Sequence, residues 1–201
     1  MQIDHAKFFE GYRTAYGKLS QATVNGLELL GRNMEDDPDL KSAQWAAYML
    51  ATVKHECANQ WMPITEFGSK AYFEKYETGT TIGKRLGNTE VGDGFRYRGR
   101  GYVQITGRAN YARLTKALRL GSSEDLEADP DQALRPVIAY RIMSIGMRAG
   151  MFTGKKLSDY INPPGCDYKN ARRIINGLDQ ADLIASYAKT LEGIIGEAMI
   201  P

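Results

Sequence analysis

Glu56 and Glu66, ten residues apart, are the side chains best suited to chemistry. One carboxylic acid and one carboxylate can together protonate a leaving group and activate a water. Glu56 falls where a helical pattern ends. The negative end of the helix dipole opposes a carboxylate there and favours the neutral acid, and half-burial pushes the same way. Glu66 follows Pro63 on an irregular loop, where solvent keeps a carboxyl ionised and fit to act as base. Glu74 and Glu77 compete for that second role, the plainer alternative being surface residues on a short helix. Downstream, Tyr97 to Tyr111 reads YRGRGYVQITGRANY. Tyr102 to Thr106 alternates apolar and polar residues as a strand does, which sets Gln104 and Thr106 on one face. Amide and hydroxyl groups there suit a sugar or an ordered water. A glycine-rich surface hairpin with solvated arginines is the plainer reading.

The elements that must hold these groups are mostly helical. His5–Tyr16 places Phe9, Tyr12 and Tyr16 on one face, and 21–33 does the same with Val24, Leu27 and Leu30. A third helix is expected from Leu40 to Cys57, capped by Asp39. Its stripe of Ala43, Ala46, Leu50, Val53 and Cys57, with Trp45 and Tyr48 at the edges, predicts the central buried helix. A short helix through Tyr72, Phe73 and Tyr76 precedes a Gly/Thr-rich stretch, 77–93, read as a mobile loop or small hairpin. Ala109–Leu120 is helical. Asp129-Pro130 opens another helix, with Ala133, Val137, Tyr140, Ile142 and Ile145 buried. Tyr168–Ile175 delivers Asn176-Gly177. Gln180–Met199 closes the chain with a helix better suited to core packing than to a membrane-active tail.

A chain of 201 residues forms one domain, or a domain with a small lobe, and can bury a real core. Its 25% charged and 43% hydrophobic residues fit an ordinary globular protein. Net charge is only +2, yet Lys84 to Arg119 is rich in Lys and Arg, opposed there by Glu90 and Asp93. Such a tract could serve nucleic acid, but a polyanionic wall fits as well; no nucleic-acid-binding motif accompanies it, so nucleic acid stays the minor reading. Neither a signal peptide nor a membrane-spanning run is read. Cys57 and Cys166 form no disulfide framework, though one bridge between them stays open. His55-Glu56 lacks a second histidine at Asn59, so the zinc-protease pattern fails and no metal or other cofactor is expected.

The segment YRGRGYVQITGRANY, with His55-Glu56, Pro63-Ile64-Thr65-Glu66 and Arg173-Ile174-Ile175-Asn176-Gly177, resembles family 19 glycoside hydrolases, in the branch containing phage endolysins. The likeness runs from about Trp45 to Gly177. It implies a mostly α, lysozyme-like two-lobed helical domain over 1–201, with a small β-hairpin or loop region beside a cleft. It implies an inverting glycosidase with Glu56 as acid, Glu66 as base and Thr106 holding the water. By the same resemblance Gln104, Asn110 and Asn176 bind sugar hydroxyl and N-acetyl groups. Tyr97, Tyr102 and Trp61 are candidates to stack on sugars, or else wall packing. Gln104 as a loop brace, Asn110 as a cap and Asn176 as a helix end stay open. Leu178 stands where plant-type chitinases have a second glycine, and their downstream arginine has no clear match. These departures favour a peptidoglycan-cleaving endolysin over a chitinase of the same fold, and the presence of both Glu56 and Glu66 stands against a non-catalytic wall-binding module. On that reading a monomer waits in the host bacterial cytoplasm, a holin-like pore former releases it, and it then acts on the cell wall. No nucleic acid or stable membrane insertion is expected.

Overall fold

Helix α1 (His5–Tyr16) starts at Asp4, whose carboxylate accepts from Lys7 N, and it buries Phe8, Phe9 and Tyr12. Helix α2 (Gln21–Glu35) is capped by Ser20 and buries Leu27, Leu30 and Met34. The computed structural model describes residues 1–40 and 42–200. Helix α3 (Ala43–Glu56) begins later than the expected Leu40, and its cap is Ser42, whose hydroxyl accepts from Trp45 N. Asp39 is therefore not the cap, and residue 41 of the expected helix lies outside the described residues. Ser and Asp are nearly equal as caps, so sequence alone did not choose between them. All residues from Ala46 to Lys54 are buried, including Tyr48, which had been assigned to an edge. A helix covered on every side is a core helix.

The chain divides into two compact units, Met1–Trp61 with Met143–Pro201, and Met62–Ile142. In the second unit, β1 (Ile64–Thr65) pairs antiparallel with β2 (Arg100–Gly101), Ile64 opposite Gly101. Between them lie α4 (Lys70–Phe73), a 3-10 turn (Glu74–Tyr76), α5 (Thr81–Leu86) and α6 (Asp93–Arg96). The stretch read as a loop or hairpin thus contains a helix. Thr80 caps α5 through Gly83 N, and Gly87 ends it at φ +69°, but six residues are too few to show a period. The expected strand Tyr102–Thr106 is corrected as well. Arg100 and Ile105 exchange both backbone hydrogen bonds, at 3.2 and 3.0 Å, so the residues between them form a tight loop. Gln104 takes a left-handed φ of +53° there. Helix α7 (Arg108–Leu118) follows.

The arginines of this unit are spent mainly inside it. Arg100 is 4% exposed and donates to Asp131 Oδ1 at 2.7 Å. Arg108 grips Asp93 through Nε and Nη2, at 2.9 and 2.7 Å, and also meets Glu90 and Glu127. The Arg98 guanidinium lies 4.1 Å from the Phe95 ring. The basic tract is therefore less of a free polycationic face than its sequence implied.

A 3-10 turn (Pro130–Leu134), capped by Asp129, breaks at Arg135 before α8 (Pro136–Ala149). One continuous helix had been expected. Pro136 excludes the helical conformation at the preceding residue, which sits at ψ 123°. Val137, expected inside, is 53% exposed. Then come α9 (Leu157–Tyr160) and the hairpin of β3 (Ile161–Asn162) and β4 (Gly165–Cys166). Helix α10 (Tyr168–Ala171) runs on as a 3-10 turn (Arg172–Ile174). Helix α11 (Ala181–Ala198) buries Ile184, Leu191, Ile194 and Ala198 and packs on α3 and α1. Gln44 of α3 reaches Glu192 of α11 at 2.9 Å. Among the described residues no helix is long and apolar enough to cross a membrane. No disulfide joins Cys57 to Cys166.

Candidate active site

Glu66 is held by its own unit at three points. Its backbone N donates to Gly99 O at 2.7 Å, extending the β1–β2 pairing by one residue. Its Oε2 accepts from Gly99 N at 3.0 Å and its Oε1 from the Tyr76 hydroxyl at 3.1 Å. Burial, and next the Glu66 charge, push the Tyr76 phenol above its ordinary value, so it stays a donor. Gly99 leaves the room that this arrangement uses. An added Cβ would stand 2.9 Å from Gln104 Oε1 and 3.1 Å from Glu66 Cβ and Oε2. Neither Tyr76 nor the Gly99 amide was singled out from sequence, since backbone donors leave no compositional mark.

Gln104 uses its amide to brace the loop, Nε2 donating to Ile64 O at 3.0 Å and Gly101 O at 2.9 Å. Thr106 donates its hydroxyl to Gln104 O at 3.1 Å, which leaves the oxygen's lone pairs able to accept. Asn110 is engaged at both ends, donating to Thr106 O at 2.6 Å and accepting from Arg113 at 2.8 Å. Glu77 accepts from Gly92 N and Gly94 N, at 2.9 and 3.1 Å, a structural task that fits the plainer reading of it. Glu74 is exposed.

In the other unit, Glu56 is the last residue of α3, with its side chain 17% exposed. It does not face the helix terminus alone. Arg172, 3% exposed, donates from Nη1 to Glu56 Oε1 at 2.6 Å and from Nε to Asp179 O at 3.1 Å. Burial pushes the neighbouring Tyr48 phenol up strongly. Sequence reasoning missed Arg172, because the adjacent pair Arg172-Arg173 gives no sign of which member points inward. Asn176 is exposed and its Oδ1 accepts from Gly177 N at 2.8 Å.

The three aromatic candidates are corrected. Trp61 and Tyr102 have no exposure and Tyr97 only 1%. Trp61 packs edge-on against Tyr12, and Tyr97 lies against Tyr111 with its hydroxyl donating to Glu127 O at 3.0 Å. Large aromatic area is worth most when buried, and packing claimed all three rings. A ring that does face solvent is Phe67, next to Glu66 and 98% exposed.

No family model matches the chain. A glycosyl hydrolase family 19 domain-containing protein of Haemophilus influenzae is 44% identical over 59 residues, 28% of this chain and 30% of that protein. The matched stretch thus spans under a third of the relative's length. Chitinase C from Streptomyces griseus is similar in structure, with a TM-score of 0.62 and 18% identity over 99% of this chain and 78% of that one. A glutamate-to-glutamine mutant of chitinase C gives a TM-score of 0.56 and 17% identity, over 99% and 95%. The likeness covers nearly the whole chain, and the protein has the mostly helical, family 19 chitinase-like fold.

Proposed function

We propose that this protein is a glycosidase that hydrolyses β-1,4 bonds between N-acetylated amino sugars of bacterial peptidoglycan, with the role of an endolysin. The observation that carries the reading is the carriage of Glu66. A carboxylate fixed by Gly99 N–H and the Tyr76 hydroxyl, on the pairing of β1 with β2, is oriented as a base on water must be. Glu56 is the acid. Arg172 engages Oε1, and in this reading Oε2 is the oxygen that serves the leaving group. Thr106 accepts from the attacking water, and Asn176 offers its free amide nitrogen to the glycan. Water attacks opposite the leaving group, so the anomeric centre inverts. Phe67 offers an apolar face to a sugar, a role the buried rings of Trp61, Tyr97 and Tyr102 do not fill.

Chitin remains the second reading because of the fold shared with chitinase C. One experiment tests both. The protein and its Glu56→Gln variant are incubated with purified peptidoglycan and with chitin oligosaccharides, and products are followed by mass spectrometry and proton NMR. The parent should release muropeptides, give the α-anomer first from a soluble oligosaccharide, and act more weakly on chitin. Glu56→Gln should lose about a hundred- to ten-thousand-fold in rate while keeping its fold. Near-parental turnover by Glu56→Gln would remove Glu56 from the mechanism, and initial β-anomer would remove Glu66 as base. Cleavage of chitin alone would make the protein a chitinase.

A further inference from the structure

Lys54 lies in α3 and is only 6% exposed, yet among the described residues no carboxylate forms an ion pair with it. Its Nζ donates to the Tyr12 hydroxyl at 3.0 Å and to Asn59 Oδ1 at 2.7 Å. Four rings surround it: Tyr16 at 4.1 Å, Tyr187 at 5.1 Å, Tyr12 at 5.4 Å and Trp61 at 5.7 Å. Aromatic faces and neutral oxygens solvate a cation but do not cancel its charge. Burial accordingly pushes the Lys54 amine below its ordinary value and raises the Tyr12 phenol to about 12.

This cage forms part of the wall of a pocket of about 350 Å³, entirely within the unit that contains α3. Lys18 stands in its lining, which includes no Asp or Glu. The volume falls in the usual range for small-ligand sites. Two further polar groups of the lining are buried without a hydrogen bond, the indole N–H of Trp61 and the hydroxyl of Tyr16. At longer range the Trp61 N–H offsets part of the upward push on the Tyr12 phenol, and Thr190 does the same for Tyr16.

The backbone holding the pocket is strained. Ala58, Asn59 and Trp61 take φ of +48°, +62° and +61°, a left-handed region that non-glycine residues seldom occupy. Such strain collects at ligand sites because the surroundings must over-determine it. Here Gly26 of α2 is part of that constraint, since a Cβ on it would lie 2.8 Å from Trp61 O. The strained turn sets Asn59 beside Lys54 and Trp61 in the wall.

We propose that this pocket is a second binding site, taking a carboxylate borne on a small body with an apolar face. The carboxylate supplies a negative charge to Lys54 and Lys18, and the body lies against the part-exposed rings of Tyr16 and Tyr187. A monoanion fits better than a dianion, because one buried and one exposed lysine would leave the second charge poorly matched. The site does not depend on the glycosidase reading.

Benzoate and benzamide have nearly the same shape and differ in charge, so they separate carboxylate recognition from ring packing. The readout is the indole N–H signal in proton–nitrogen NMR of the full chain, which contains two tryptophans. Trp45 is the internal control, because its Nε1 already donates to Ile161 O at 2.9 Å. Benzoate should shift the Trp61 signal saturably, with affinity at least about tenfold above benzamide, and leave Trp45 still. Lys54→Met keeps the stem without the charge and should abolish benzoate binding while retaining a dispersed spectrum. If that variant does not fold, Lys18→Gln should weaken benzoate several-fold without affecting benzamide. The proposal is overturned by any of four results: no saturable shift, equal binding of benzamide, parental benzoate affinity in the variants, or the same shift from sulfate at matched ionic strength.

Discussion

A side chain can act as a catalyst only when its neighbours fix where it points, and Glu66, the proposed base, is held closely. Both of its oxygens are already engaged, one of them by the backbone of Gly99. Gly99→Ala would place a methyl group 3.1 Å from Glu66 Oε2 and 2.9 Å from Gln104 Oε1, so the carboxyl, the brace or both must move. The backbone at position 99 is not left-handed, so the substitution adds a contact and no conformational strain. Displacement of a reacting group by about an ångström can cost about a hundredfold in rate. Gly99→Ala should therefore lower kcat by one to two orders of magnitude, change KM much less, and shift the melting temperature by only a few degrees. Steady-state kinetics beside a thermal melt check this. A large fall in stability with parental kcat would show that Gly99 serves the fold and not the carboxylate.

At the scale of elements, the short helices of the second unit are tied by charge more than by length. Isolated helices of four or six residues are not stable by themselves, so α5 and α6 depend on tertiary partners. Asp93, at the start of α6, accepts from Thr89 N, Glu90 N and the Arg108 guanidinium of α7. Burial alone would raise the Asp93 pKa; Arg108 and the two amides outweigh it and hold the carboxyl below its ordinary value of 3.8. The unfolded chain then binds the proton more readily than the folded one. The stabilisation is complete above about pH 4 and is lost as pH falls through the lower, folded value. Asp93→Asn should cost about 3–5 kcal/mol at neutral pH, toward the lower end because Glu90 and Glu127 still reach Arg108. Melting curves from pH 7 to pH 2 should show parent and variant converging in acid. A constant gap across that range would mean that Asp93 acts through packing alone.

At the scale of the whole molecule, the proposed endolysin role sets a condition on delivery. Among the described residues no helix is long and apolar enough to cross a membrane. On the proposed endolysin role, a pore-forming partner gives the protein access to the wall. Expression of the chain alone in a bacterial cytoplasm should leave cells intact. Co-expression with a pore-forming protein, or permeabilisation from outside, should bring rapid loss of turbidity. Lysis by the chain alone at a comparable rate would contradict dependence on a pore former.

Local order was most legible in the sequence where the apolar period was long. Helix α1 has its expected limits, α2 and α11 lie within two residues of theirs, and α3 is the buried centre that its alanines and apolar stripe implied. Side-chain period reports which face of an element is apolar, and that information is local. What the other face meets is not local. Arg172 reaches Glu56 across 116 residues of sequence, Asp131 comes to Arg100 across 31, and Lys54 is enclosed by rings from three separate stretches. The strand expected at Tyr102–Thr106 became a loop because the mutual hydrogen bonds of Arg100 and Ile105 outweighed a short alternation. Trp61, Tyr97 and Tyr102 turned inward because a core gains more from burying a ring than a surface does from displaying it. Sequence thus determined the long helices and nominated residues for chemistry. Tertiary structure decided their partners, because a partner is chosen by packing and charge between segments that the sequence keeps far apart.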